Sequence, residues 1–330
     1  MNTISKGVSV TLCTYNGKTK LDKTLEHLST QKVNVPLEII LVDNASTDDT
    51  KEFSDDFWRE NGNAAIEYRS FVQPIPGKSY AQDLAYAEAK YEYIIVCDDD
   101  NWLDETYCQT AFEVMEGNKE IGALGGQSTG AFETEKPEWF DQVAKTYAIG
   151  KQWEESGEIL HGQGVLFGAG MVIRKSHWLD LKRRGFEHQL SCRKGNKLTS
   201  GGDVEYCYAL WLLGYKIWYD ERLRFTHYML KERLTIDYFH RIKKGMAESQ
   251  ISIRAYRDIL QGRSVNWVIF KLLILKTLTM GLIQNTRRVL AGDYKEKAEG
   301  QAYFTYLSQL FTDYHHYSNV RKSILTWYYS

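Results

Sequence analysis

Apolar residues recur along this chain in two rhythms that alternate through its first third. The runs "VSVTLC" (8–13), "LEIILV" (37–42) and "YEYIIVC" (91–97) are nearly continuous and read as strands buried on both faces. "AAIEYR" (64–69) and "EIGALGG" (120–126) are further strand signals. Between them the apolar positions fall at helical spacing: Leu21, Leu25 and Leu28, then "GKSYAQDLAYAEAK" (77–90), then "LDETYCQTAFEVM" (103–115). "STDDT" opens a helix after the second strand, with Ser46 as N-cap and Asp49 three residues on. This β-α-β-α order predicts an α/β fold, a mostly parallel sheet with helices on both faces. Open sheets of that kind take ligands at the carboxyl ends of their strands.

Three polar constellations stand at those ends. Thr14-Tyr15-Asn16-Gly17 follows the first strand, Asp43-Asn44 the second, and Asp98-Asp99-Asp100 the run Ile94-Ile95-Val96. Adjacent carboxylates repel, and each one buried without a partner costs several kcal/mol or has its pKa forced up. The acidic triplet is therefore either a solvated loop start or a site for a divalent cation, which favours such oxygen ligands. No GxGxxG follows the first strand and no GxxxxGK[ST] occurs anywhere, so neither a dinucleotide fold nor a P-loop is supported. A phosphatase with an aspartate nucleophile would place its acid pair after the first strand. A metal-bridged diphosphate at the fourth strand remains.

Composition adds two constraints. The five cysteines, Cys192 among them, include no CxxC pair and mostly sit in apolar patterns, as reduced core residues of a cytosolic protein do. The opening "MNTISKGVSV" runs straight into a strand with no signal-like apolar stretch, so a cytoplasmic location is expected. The net charge of −2 conceals an asymmetry: residues 1–221 carry 23 Lys and Arg against 35 Asp and Glu, and residues 222–330 carry 18 against 8. An acidic head and a basic tail imply two tasks, the tail's charge suiting an anionic membrane or another polyanion.

Taken together and in order, "VTLCTYNG", "LEIILVDNASTDDT", "PGKSYAQDLAYAEAKYEYIIVCDDDNWLD" and "GGDVEYCYALWLLGYKIWY" resemble the successive motifs of family 2 glycosyltransferases over roughly residues 7–240. The resemblance implies the GT-A fold and inverting transfer of a sugar from a nucleotide-diphosphate donor, most often UDP-linked. The acceptor would be a glycan or lipid-linked hydroxyl, in the synthesis of cell-surface polysaccharide or glycoconjugate. It also implies roles. Thr14, Tyr15, Asn16 and Asp43 would hold the nucleotide, with Tyr15 against the base and Asp43 accepting a hydrogen bond from it. Asp98 would serve the ribose, and Asp100 with His227 a Mn2+ or Mg2+ ion; Asp99 is the variable middle residue, left in solvent. Lys78 and Gln82, on the helix whose N-terminus faces the same rim, are the candidates for the donor's phosphates. Asp203 matches the general base. Three departures stand out: Asn101 replaces a further acid, Gln82 stands where the family often has a basic residue, and Gly202 replaces the acidic neighbour of the base. Residues 162–178 correspond to the acceptor side, where Trp153, Trp178 or the 133–139 loop could stack on a sugar.

Each assignment has a structural rival. Tyr15 could plug the sheet rim, Asp43 could form an Asx turn, and Asp203 could merely cap a helix beginning near Val204, after a mobile turn of Thr199, Ser200 and two glycines, for about 1 kcal/mol. Among whole-protein alternatives, a nucleotidylyltransferase would show a glycine-rich basic loop where "CTYNGKTK" stands. A non-catalytic sugar-nucleotide binder would have lost Asp100 or Asp203. Binding of nucleic acid by the tail is not expected.

The expected organisation is a catalytic domain over 1–240, split into a nucleotide half (1–125) and an acceptor half (126–240), followed by a helical basic extension over 241–330. Within the extension, "VNWVIFKLLILKTLTMGLI" (265–283) has 13 large apolar residues interrupted by Lys271 and Lys276. As a helix it would be about 28 Å long, nearly a bilayer core. Two central lysines cost about 5–7 kcal/mol, similar to what the apolar residues return at about 0.3–0.6 each. A helix lying in the interface, with both lysines snorkelling to an anionic membrane face, avoids that cost. Packing in the core, or a homodimer contact through the C-terminal helices, is the alternative.

Overall fold

The runs at 8–13, 37–42 and 91–97 form three adjacent parallel strands in a computed structural model that describes residues 4–190 and 200–330. Cys192 and Thr199 lie outside the described residues. Strand β1 (Ser5–Thr14) sits between β2 (Leu37–Asp43) and β4 (Tyr91–Asp98), and β3 (Glu67–Val72) flanks β2. The crossovers are α1 (Leu21–Ser29), α2 (Thr50–Asn61) and α3 (Lys78–Glu88). Beyond β4 come β5 (Asn101–Leu103), α4 (Tyr107–Gly117), β6 (Ile121–Phe132), β7 (Gly150–Lys151), β8 (Gly157–Ile159), β9 (Val172–Arg174) and α5 (Lys175–Arg183). Helix α6 (Gly202–Leu212) and β10 (Lys216–Met229) complete the sheet region. The sheet runs β3-β2-β1-β4-β9-β6-β10-β5, with β7 on β6 and β8 on β10. It is mixed but mostly parallel. Strand β9 is antiparallel to both neighbours, and the short β5, β7 and β8 also pair antiparallel.

The unbroken apolar runs have a simple cause, since side chains alternate between two covered faces. Ile39, Leu41, Ile95 and Cys97 join Leu21, Leu25 and Leu28 of α1 on one side. Ile40, Val42, Ile94 and Val96 join residues of α3, α5 and α6 on the other.

Three elements near the rim, β3, α2 and α4, begin later than expected. Strand β3 starts three residues late because Asn63 draws Ala65 and Ile66 into a turn, its Oδ1 accepting from Ala65 N at 3.0 Å. Helix α2 opens at Thr50, and Ser46 is not its cap; the Ser46 hydroxyl instead accepts from Asn16 N at 2.9 Å. Helix α4 begins at Tyr107, since Asn101–Leu103 is taken up as β5 against β10.

Four helices finish the chain: α7 (Ile236–Leu260), α8 (Trp267–Ala291), α9 (Tyr294–Thr312) and α10 (Tyr314–Tyr328). Helix α7 runs through residue 240 without a break, and the larger apolar cluster extends from Ile40 of the sheet to Trp327 of α10. Trp327 is 1% exposed, edge-on to Phe186 at 5.5 Å between centroids. Trp327→Ala is expected to cost about 3–5 kcal/mol, as large core truncations do. Calorimetry should show this as a lower Tm within one cooperative transition. A separate low-temperature transition would mean that the last helices melt alone.

Candidate active site

The registers Thr14↔Asp43 and Cys13↔Asp98 bring the ends of β2, β1 and β4 side by side on one rim. The turn after β1 is held in a left-handed step at Asn16 (φ 48°), a conformation that asparagine tolerates. Asn16 Oδ1 accepts from Thr47 N at 2.8 Å, and Gly17 N donates to Thr50 Oγ1 at 2.9 Å. A Cβ at Gly17 would lie 2.0 Å from Thr14 Oγ1, so only glycine lets the turn close here. The lashing leaves the Tyr15 ring 56% exposed above the rim. Asp43 Oδ1 accepts from Ser46 N at 3.1 Å, the Asx-type contact, within a mostly buried side chain. Asn44 docks α3: its Oδ1 accepts from Gly77 N at 2.8 Å, which sets Lys78 at the first position of the helix, in contact with Asp98 Oδ1.

The acidic triplet is not a solvated loop. Asp99 Oδ2 accepts from Thr14 Oγ1 at 2.7 Å and from Lys20 Nζ at 2.9 Å, with both ends of the ion pair largely buried. Asp100 is 3% exposed, and its Oδ2 lies 2.7 Å from Arg233 Nη1. Its Oδ1 accepts from Asn101 Nδ2 at 3.1 Å and faces His227 Nε2 at 3.4 Å. Burial alone would raise the Asp100 carboxyl pKa, but Arg233 and then His227 outweigh it and hold it well below the usual range. Burial works against the Arg233 charge too, but Asp100, together with Tyr238 and Asp99, outweighs it and keeps the guanidinium charged. Burial pushes the nearby Cys13 thiol up to about 12 and Cys97 well above its ordinary value, which makes both neutral core groups.

Farther along the chain, α6 starts at Gly202 behind Gly201 (φ 118°). Asp203 is therefore inside the first turn and is not the N-cap. Its Oδ1 accepts from Val204 N at 2.9 Å and its Oδ2 from Gly168 N at 2.8 Å, so the half-buried carboxylate holds the glycine-rich 162–178 segment against the helix. A carboxylate has about four acceptor sites, so capacity remains for a hydroxyl proton.

Residues 9–177 match the model of glycosyl transferase family 2. The chain belongs to that family. Among curated proteins it is 37% identical over 94 residues to abequosyltransferase RfbV of Salmonella typhimurium, 28% of each chain. It is 28% identical over 113 residues to glycosyltransferase GlyG of Streptococcus pneumoniae serotype 4, 34% of this chain and 36% of that one. The matches thus span about a third or less of either relative. In three dimensions it resembles the mannosyltransferase PcManGT from Pyrobaculum calidifontis, in complex with GDP-Man and Mn2+, with a TM-score of 0.55 at 16% identity, covering 98% of this chain and 86% of that one. S. aureus TarS 1-349 in complex with UDP-GlcNAc gives 0.51 at 16%, covering 94% and 92%. At such identities the likeness speaks for the fold, and that fold is GT-A.

In this family 2 chain, Thr14, Tyr15, Asn16, Asp43, Asp98 and Asp100 gather at one rim, as the strand order implied, and Lys78 and His227 meet Asp98 and Asp100 there. The strand pairing His227↔Asn101 is what brings His227 to Asp100. Asp99 corrects the expectation of a solvated residue: it is a buried anchor, because Thr14 and Lys20 converge on it. Trp178 is also corrected; it packs edge-on to Tyr86 in the core, 5% exposed, and cannot stack on a sugar. Two further charged residues support the candidate site with little signal in the sequence. Arg233 lies in a short turn (Lys231–Arg233) after β10, with only its basic charge near His227 as a signal. Glu205, fully buried two residues beyond Asp203, accepts from Gln189 N, Leu190 N and Tyr256 Oη at 2.9–3.2 Å and locks α6 to α7.

Asp99→Ala should destabilise the fold by about 3 kcal/mol, because it strands Lys20 in a largely buried place. Denaturant unfolding measures this. A change within about 0.5 kcal/mol, normal for solvated surface positions, would restore the solvated reading.

Proposed function

We propose that the protein is an inverting glycosyltransferase that moves a sugar from a nucleotide-diphosphate donor to a hydroxyl of a glycan or lipid-linked acceptor. The observation that carries this is the convergence of an exposed tyrosine, Asp43, Asp98 with Lys78, and Asp100 with His227 on one strand rim of a GT-A fold. Tyr15 offers a face for the base, Asp43 and Asp98 accept from base and ribose, and Lys78 stands at a helix N-terminus suited to phosphate. Asp100 and His227 are hard oxygen and imidazole donors. No cluster of three His, Cys, Asp or Glu side chains suited to a metal occurs among the described residues, but Mg2+ or Mn2+ keeps several waters and needs only one or two carboxylates. The donor set fits once Arg233 withdraws from Asp100. An ion bound there would neutralise the leaving diphosphate.

Asp203 takes the proton of the acceptor hydroxyl as that oxygen bonds to the anomeric carbon. The bond from that carbon to the donor's diphosphate oxygen breaks, the nucleoside diphosphate leaves with the electron pair, and the configuration inverts. A base so placed contributes about 10²–10⁴-fold. The test is nucleotide release from a panel of UDP- and GDP-sugars with Mn2+. Asp203→Asn should keep donor binding and lose at least about 10²-fold in turnover; Asp100→Ala should lose metal-dependent nucleotide binding. Full activity in the Asn variant would reduce Asp203 to a scaffold for the 162–178 segment. Pyrophosphate release from a nucleoside triphosphate and a sugar phosphate would instead mark a nucleotidylyltransferase.

The same proposal places the enzyme on the anionic face of a membrane through α8, where a lipid-linked acceptor would lie. Helix α8 is the one helix among the described residues long and apolar enough to cross a membrane, and 17% of its most apolar window is buried. It packs through Phe270, Ile274, Gly281 and Asn285, with Phe270 about 5 Å from the rings of Tyr314 and Tyr317. Val268, Leu272, Leu275, Ile283 and Leu290 are exposed along the opposite stripe. Its charged residues, Lys271, Lys276, Arg287 and Arg288, are all basic. An apolar stripe edged only by cations suits an anionic interface, at about 1 kcal/mol per basic residue near the surface.

Wild-type protein is expected to float with anionic liposomes and much less with neutral ones. Leu272→Glu with Leu275→Glu should abolish flotation while Tm holds. Loss of a dimer in the same variant, with no flotation by wild type, would assign the stripe to a second copy instead.

A further inference from the structure

Asp100 is the carboxylate that the donor's cation would need, and a guanidinium already occupies it. The approach is close and shielded: 2.7 Å from Arg233 Nη1 to Asp100 Oδ2, with the two side chains 15% and 4% exposed. Arg233 comes from a turn whose backbone is pinned. Lys231 N donates to Glu133 Oε2 at 2.8 Å, Leu234 N to Lys231 O at 3.0 Å, and Thr235 caps the following helix. The backbone therefore stays, but the guanidinium ends a long flexible side chain and can swing without it. Like charges disfavour each other on one carboxylate, so a divalent ion and Arg233 compete for Asp100.

We propose that Arg233 is a positioning residue that couples cation entry to donor binding. Without donor it neutralises Asp100 and keeps the cation off. With donor it leaves Asp100 for the diphosphate, whose oxygens match the planar fork of a guanidinium. The cation then takes the vacated carboxylate oxygen. The inference rests on the glycosyl-transfer proposal, because the diphosphate is what draws Arg233 away. A purely structural ion pair would behave differently, since its loss would weaken every ligand of the site together.

The experiment reads two affinities that should move in opposite directions. Binding of Mn2+ alone is followed by the electron paramagnetic resonance signal of the free ion. Binding of UDP, and of GDP in parallel, is followed by calorimetry at saturating Mn2+. Arg233→Gln should bind Mn2+ alone about tenfold or more tightly than wild type, and the nucleotide about tenfold or more weakly, as expected when one charged hydrogen-bonding partner is removed. Arg233→Lys keeps the charge without the fork; it should hold Mn2+ affinity near wild type, still weaken the nucleotide, and serve if the Gln variant does not fold. Mn2+ affinity that is unchanged or reduced in Arg233→Gln overturns the proposal, as does unchanged nucleotide affinity in both variants. A wild type that binds neither nucleotide, beside a Gln variant that gains Mn2+ affinity, would uphold the competition at Asp100 and refute the donor assignment.

Discussion

Three successive carboxylates can share one loop only if each has its own cation, and the site is organised around that need. Asp98 meets Lys78 from the start of α3, Asp99 meets Lys20 from the residue before α1, and Asp100 meets Arg233 from the turn after β10. The three cations come from positions far apart in the chain, so the triplet draws two crossover helices and a distant turn to one point. Removing any one cation leaves a mostly buried charge uncompensated, which costs more than the pair contributes when intact. The rim is therefore a consequence of charge neutralisation as much as of strand order.

Support for the second half of the site reaches into the C-terminal helices. Ser249 of α7 donates to Ser200 O just before α6, and Tyr256 of α7 donates to Glu205 within it. The helix that carries Asp203 is thus held from behind by the basic extension. With Trp327 and Ile40 in one apolar cluster, catalytic sheet and extension share a core. A charge asymmetry along the sequence does not by itself mark a boundary in packing.

What was legible in the sequence follows from what is local. The apolar runs of β1, β2 and β4 and the rim residues just after them depend on neighbours within a few positions, and the GT-A order is implied by the resemblance of four motifs taken in succession. Less legible were the features made by pairing across long separations. Strand β5 exists because β10 lies beside it, more than a hundred residues later, and that pairing delivers His227 to Asp100. Asp99 looked like the spare acid of a triplet because nothing near it in sequence shows that Thr14 and Lys20 close over it. Ser46 had the spacing of a helix cap, but the Asn16 backbone claimed its hydroxyl first. Trp178 had the composition of a sugar platform and the burial of a core residue.

The proposed donor poses an electrostatic question: why should a region with 12 more acids than bases accept a diphosphate? Net charge acts over distances that salt screens within about 8 Å at physiological ionic strength. Inside that radius the balance is set by the rim itself, where Lys20, Lys78 and Arg233 stand against Asp98, Asp99 and Asp100. The triplet is close to neutral as it stands. An incoming dianion with one divalent cation is neutral as well, so the pair can enter with little net change in charge. An isolated dianion would find every nearby cation already engaged. For the proposed donor, local neutrality thus favours the nucleotide and its ion arriving together.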